Sequence, residues 1–230
     1  MPLIPWWALL SSGFSPVLLI GGWTLAASLQ PAGYDPMVQS ISSLAAHGAA
    51  DQWLMTGALF LLGVCNIVTA LGLRAAALPG RITLAFGGLA AVLVSLSPEP
   101  DGGTSLRHLT ATGVGFTALA LWPVLAASGN PVTWALKPRV GYVATALMAA
   151  CATWFLVELH GHGAAGLVER ILTGVQSVWP LIVVAACLAA RLRTAAKPRA
   201  RETVMAGGER SERTMARSER NGSECGERSS

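Results

Sequence analysis

The chain has 230 residues, of which 53% are hydrophobic and only 12% charged, and its formal net charge is +4. A soluble globular domain carries about 25% charged residues, so this composition excludes an ordinary soluble domain. The basic residues sit at the ends of apolar blocks and in the C-terminal tail, so they read as topology signals, and no nucleic-acid partner is expected.

The apolar residues come in blocks of roughly 20, the length that crosses a bilayer as a helix. Helices satisfy their own backbone polar groups in lipid. Six spans are expected, at residues 7–29, 52–73, 82–96, 108–127, 140–157 and 169–190. The first lacks a positively charged start, so it reads as a retained span and not a cleaved signal peptide. The third is short and can extend at either end. Gly57, Gly63, Gly87, Gly88, Gly113, Gly115 and Gly174 allow close helix approach. Trp122-Pro123 and Trp179-Pro180 should kink spans four and six. Asn66, midway along span two, needs a hydrogen bond from another helix. Cys65, Cys151 and Cys187 fall in apolar runs and Cys225 in the tail, so they read as small hydrophobes without a disulfide framework.

Arg74, Arg81, Lys137 and Arg139 follow spans two and four, and ten more basic residues follow span six, making fourteen of the sixteen. Only Arg107 and Arg170 fall on the other side. The positive-inside rule then places both termini in the cytoplasm. Connections 30–51, 97–107 and 158–168 face outward. The expected fold class is all-α, a polytopic six-transmembrane-helix bundle over residues 1–192 in the cell (plasma) membrane. Residues 193–230 repeat Ser-Glu-Arg and Gly-Glu-Arg with little apolar content, and read as a disordered tail. Residues 191–201 could touch anionic membrane lipid.

All four histidines, His47, His108, His160 and His162, fall at the outward connections. So does every acidic residue before the tail: Asp35, Asp51, Glu99, Asp101, Glu158 and Glu169. In the first connection, Asp35-Pro36 can open a short interfacial helix that Gly48 closes. Ser40, Ser43 and His47 would share one face and look toward the mouth of the bundle, with Met37, Ile41, Leu44 and Ala45 on the apolar face. A Ser–His pair can activate a hydroxyl nucleophile when a third group orients the histidine. In the second connection, Thr104 or Ser105 caps span four, and His108 lies one turn inside with Thr112 and Gly115 beneath it. Asp101 is near enough in chain to orient the His108 ring, which suits acid–base work or half a metal site. In the third, Glu158, His160 and His162 can ligate zinc, though the glycines leave that spacing loose and no cofactor is expected. Span six opens with Glu169-Arg170, and Thr173, Gln176 and Ser177 continue a polar stripe. So close to hydrocarbon, Arg170 needs a partner: an ion pair with Asp101, Glu158 or Glu99, or a ligand.

Four groups of residues together resemble one bacterial family. They are Tyr34-Asp35-Pro36 with Gln39-Ser40-Ile41-Ser42-Ser43-Leu44, Pro100-Asp101 with His108, Gly166-Leu167-Val168-Glu169-Arg170, and Gln176 with Trp179-Pro180. The family is the one called domain of unknown function 998, and the resemblance spans roughly residues 7–192. It implies a six-span membrane protein without an established activity, distantly similar to the Frag1/DRAM/Sfk1-like membrane proteins, some of which handle lipid. His160 and His162 match no motif of the family.

Three functions fit these residues. In the first, Ser40, Ser43, His47, Asp101, His108, Glu169 and Arg170 form an outward-facing pocket for a lipid-like or small polar ligand. In the second, an outer-leaflet enzyme uses Asp101 and His108 as an acid–base pair or metal ligands, Arg170 as an anion clamp and Ser40 or Ser43 as nucleophile. In the third, the bundle is an accessory subunit that packs on another membrane protein or on its own copy. No charge lies near the middle of a span and no helix reads as broken beyond its prolines, which weighs against a secondary transporter.

Overall fold

Each apolar block becomes one helix, and its punctuation sets where that helix stops. The computed structural model describes residues 4–100, 105–129, 131–161 and 163–195. Asp101, Thr104, His162, Cys225 and the tail lie outside them. Among the described residues, six helices are long and apolar enough to span a membrane. They are α1 (Trp6–Ser28), α2 (Gln52–Gly72), α3 (Leu78–Ser95), α4 (Leu106–Leu125), α5 (Pro138–Gly161) and α6 (Ala165–Ala195). Proline sits in the first turn of α3 and opens α5, where its missing N–H has no helical partner to lose. The expected third span starts four residues late. The sixth helix is longer than expected at both ends. The compact unit that holds everything below runs to Leu188, and residues from Ala189 form a second unit.

Consecutive helices α1 to α5 pack side by side in chain order. α6 supplies Val183, Val184 and Cys187 to a core shared with α1, α2, α3 and α4, and Val168 and Leu172 to a cluster with Phe155 of α5. Outward-facing surfaces stay apolar, as with Phe14 and Val17 of α1 or Tyr142 and Leu147 of α5, which suits lipid contact. α2 and α3 approach closely at Gly63 and Gly88. A Cβ added to Gly63 would lie 2.5 Å from the Gly88 carbonyl oxygen. Gly57 and Gly113 do not serve this purpose, since each faces open space.

Asn66 finds its expected partner on another helix. The Ser15 hydroxyl of α1 donates to Asn66 Oδ1 at 3.2 Å, and the Ser11 and Thr69 hydroxyls meet at 2.8 Å about one turn away. At one end of the bundle, the basic end, the α2–α3 and α4–α5 connections meet through Ala77 N–H and Ala126 C=O at 3.1 Å. At the other, the acidic end, the 30–51 connection folds over the helix termini.

Candidate functional site

The first connection is not the expected interfacial α-helix. Its only helical stretch is a 3-10 turn, Ser42–Ala45. Local side-chain bonds take over the backbone groups that an α-helix would use. Asp35 Oδ1 accepts from Met37 N at 2.9 Å, Ser40 Oγ accepts from Ser43 N at 3.2 Å, and Ser43 Oγ donates to the Ser40 carbonyl at 2.7 Å. Other backbone groups go to α6. The first four N–H groups of a helix lack intrahelical acceptors, and here two of them are met from outside. Gly166 N–H donates to the Val38 carbonyl at 3.2 Å and Leu167 N–H to the Met37 carbonyl at 2.9 Å. Gly166 must be glycine for this docking, because a Cβ there would collide with the Gln39 and Pro36 carbonyls.

Three side chains singled out in the sequence hold this segment down. Glu169, 3% exposed, accepts the Ile41 N–H through Oε2 at 2.6 Å. Arg170 forms none of the expected ion pairs among the described residues. Its Nη1 donates to the carbonyls of Pro36 (2.7 Å), Gln39 (3.0 Å) and Gly166 (2.8 Å), and its Nη2 to Tyr34 Oη (2.7 Å). A planar guanidinium suits such a cluster of acceptors because its donors are fixed in a fork. Glu158, one of the anticipated partners, instead accepts from Trp154 Nε1 at 3.0 Å and from Ala164 N at 2.9 Å.

His108 is the third clasp. Ser105 caps α4, its Oγ accepting from His108 N at 3.4 Å. The ring, 2% exposed, places Nδ1 at 2.9 Å from the Ser97 carbonyl and Nε2 at 3.0 Å from Ser42 Oγ. A carbonyl only accepts, so Nδ1 carries the proton. In the neutral ring Nε2 then accepts the Ser42 hydroxyl proton. The nearby carboxylate is Glu99, with Oε1 at 3.7 Å from Nε2; Asp101, the expected orienter, is outside the described residues. Glu99 also accepts the His47 N–H through its carbonyl at 2.9 Å.

Ser42, which the sequence reading passed over, is thus the serine on His108. Ser40 and Ser43 bond each other instead, and the His47 side chain is exposed. An α-helical stripe of Ser40, Ser43 and His47 hid Ser42. Had the serine-rich run been read as a turn, Ser42 would have been an equal candidate. His160 is exposed and bonds the Leu156 carbonyl of its own helix at 2.7 Å. Among the described residues no group of three metal-ligating side chains comes together.

Beneath the segment lies a cavity of about 70 Å³, roofed by Ile41, Ser42 and Glu169 and walled by α1, α2, α3, α4 and α6. Thr173, Gln176 and Ser177 of α6, Thr112 of α4 and Asn66 of α2 supply its polar lining. The α6 stripe therefore faces inward, as its three- and four-residue spacing requires. Gln176 lies eleven residues into α6, about 16 Å along the axis at 1.5 Å per residue. It is 1% exposed, donates through Nε2 to the Phe116 carbonyl at 3.0 Å, and leaves Oε1 without a partner. Thr112 Oγ1 is likewise buried and unpartnered.

Six apolar spans among the described residues define a multi-pass helical membrane protein. The chain belongs to the family described as Protein of unknown function (DUF998), which matches residues 15–186. That match takes in the first connection, all the clasping residues and the cavity. No curated protein and no solved structure matches the chain.

Proposed function

We propose that this protein binds a small polar ligand in the interior cavity, with residues 34–47 as a cover that must lift to admit it. The observation that carries this is the cavity itself, which gathers Asn66, Thr173, Gln176 and Ser177 in the bundle interior beneath residues 34–47. A cavity of about 70 Å³ suits a small guest. His108, Glu169 and Arg170, drawn from sequence as pocket residues, become in this reading the clasp of the cover. The acidic end faces outward across the plasma membrane, on the positive-inside argument.

The test is cysteine labelling in intact cells. Ser177→Cys, in a chain whose four native cysteines are alanine, is exposed to a membrane-impermeant methanethiosulfonate. Reaction from outside supports both the cavity and its orientation. Reaction only in inverted vesicles reverses the orientation, and no reaction in either overturns the reading.

A second reading, a hydrolase, is favoured by one observation. Ser42, His108 and the Ser97 carbonyl form a hydroxyl–base–orienter series at 3.0 and 2.9 Å, the arrangement that activates a serine nucleophile. Covalent labelling of the wild type but not of Ser42→Ala by a fluorophosphonate would support it. An unlabelled wild type would remove it.

A further inference from the structure

We infer that the outer groove between α3 and α4 seats an anionic phospholipid from the leaflet at the acidic end, with an acyl chain between the two helices and the phosphate on Arg107. The groove lies on the lipid-facing side of these helices, so the inference stands apart from the interior cavity and its cover. Residue size makes the groove. Small side chains set the spacing of α3 and α4: a Cβ on Gly115 would come within 3.3 Å of the Ala90 Cβ. Beside that seam, Phe86, Leu89 and Leu93 of α3 and Val114 of α4 stand half-exposed. The trough between them, floored by Ala90 and Ala111, holds about 790 Å³. Sites for small organic ligands hold about 300–1,000 Å³, so an acyl chain has room. Its length fits one leaflet. Phe86 to Ser97 is eleven residue steps, about 16 Å at 1.5 Å per residue, against about 15 Å for half of a 30 Å hydrocarbon core.

The lining is graded from polar to apolar along its length, which is the pattern of an amphiphile. Ser97, Arg107 and Thr110 supply the polar groups, all in the part nearest the acidic end, and the deeper part is apolar. Charge then selects the headgroup. Arg107 is exposed and is the one ionisable side chain among the described residues that line the groove. It makes neither a hydrogen bond nor an ion pair among the described residues. The other arginine at this end, Arg170, is fully engaged by Tyr34 and three carbonyls. At a helix start, a long arginine stem lies along apolar surface while its guanidinium stays at headgroup level. A phosphodiester is the anion at that level, and a guanidinium meets it with two parallel hydrogen bonds. A choline or ethanolamine headgroup adds a cation of its own, and the described lining offers it no carboxylate, so phospholipids of net negative charge are favoured. A second copy of the chain fits less well. Packed here about a two-fold axis along the membrane normal, it would set its own Arg107 opposite at the same height.

The experiment is native mass spectrometry of the detergent-purified full chain, released from micelles that contain equal amounts of dioleoylphosphatidylglycerol and dioleoylphosphatidylcholine. One phosphatidylglycerol should be retained per chain in preference to phosphatidylcholine. Arg107→Gln should lower that preference about tenfold or more, as loss of a charge-assisted hydrogen bond does. Val114→Trp fills the groove and should lower retention of both lipids. Arg139→Gln removes an exposed cation at the basic end and should change neither. Arg107 and Val114 are exposed, so their variants keep the fold, which an unchanged Tm checks. Equal retention of the two lipids by the wild type overturns the proposal, and so does an equal loss of preference in Arg107→Gln and Arg139→Gln. Full displacement by glycerol phosphate, which has the charge without the chains, overturns it too. A dimer mass without bound lipid would give the groove to a second copy and overturn it as well.

Discussion

Replacing Arg170 by alanine isolates the clasp from the cavity it closes. The guanidinium makes four hydrogen bonds, three of them to carbonyls of Pro36, Gln39 and Gly166. A hydrogen bond to a charged group contributes about 1.5–3 kcal/mol net. Four bonds from one head group are not independent, and water replaces part of what is lost at this half-buried site. A loss of about 3 kcal/mol follows, which is roughly 100-fold in the population of the lifted cover. The assay is amide hydrogen exchange read by mass spectrometry in detergent. The amides of Ile41 and His47, and of Gly166 and Leu167 beneath them, are bonded only while the cover is down. In Arg170→Ala they should exchange about 100-fold faster, while α2 and α3 amides keep their wild-type rates. Unchanged exchange across residues 37–47 would refute the clasp. Acceleration spread evenly over all helices would show that Arg170 supports the bundle and not the cover.

Other consequences follow from the same contacts. His108→Ala leaves the Ser97 carbonyl and the Ser42 hydroxyl without their ring partner, so Tm should fall by about 5 °C, from roughly 2 kcal/mol of lost bonding; an unchanged Tm by tryptophan fluorescence would show the ring is dispensable. Gly63→Val places its side chain against the Gly88 backbone and should abolish accumulation of folded protein, whereas Gly113→Ala, with nothing within 4 Å, should be neutral or stabilising by about 0.5 kcal/mol. Size-exclusion profiles of the two variants side by side check this, and equal behaviour would contradict the α2–α3 contact. Gly166→Ala should open the cover as Arg170→Ala does, by forcing the Gln39 carbonyl away, with the same exchange signature over residues 37–47.

The spans were legible because the composition of each block decides its state: twenty apolar residues have no alternative in lipid. Asn66 was legible for a related reason, since an amide at that depth must find a partner, and Ser15 is that partner. The inward stripe of Thr173, Gln176 and Ser177 followed from helical spacing alone. The first connection was not legible. Asp35, Ser40 and Ser43 carry both helix-cap and turn chemistry, and which one wins depends on carbonyls and N–H groups at the start of α6, more than 120 residues away in sequence. For the same reason Arg170 looked like half of an ion pair. A sequence displays carboxylates as possible partners and hides backbone carbonyls, and it is carbonyls that Arg170 meets.

The claim that residues 34–47 gate a water-accessible polar cavity is tested most directly by one ratio. It is the labelling rate of Ser177→Cys by a small methanethiosulfonate in the presence of Arg170→Ala, divided by the rate with Arg170 intact, both in the cysteine-free background. A gated cavity predicts a ratio of about 100, matching the opening of the cover. A ratio of one, with labelling in both, would place the route to the cavity elsewhere and contradict the account.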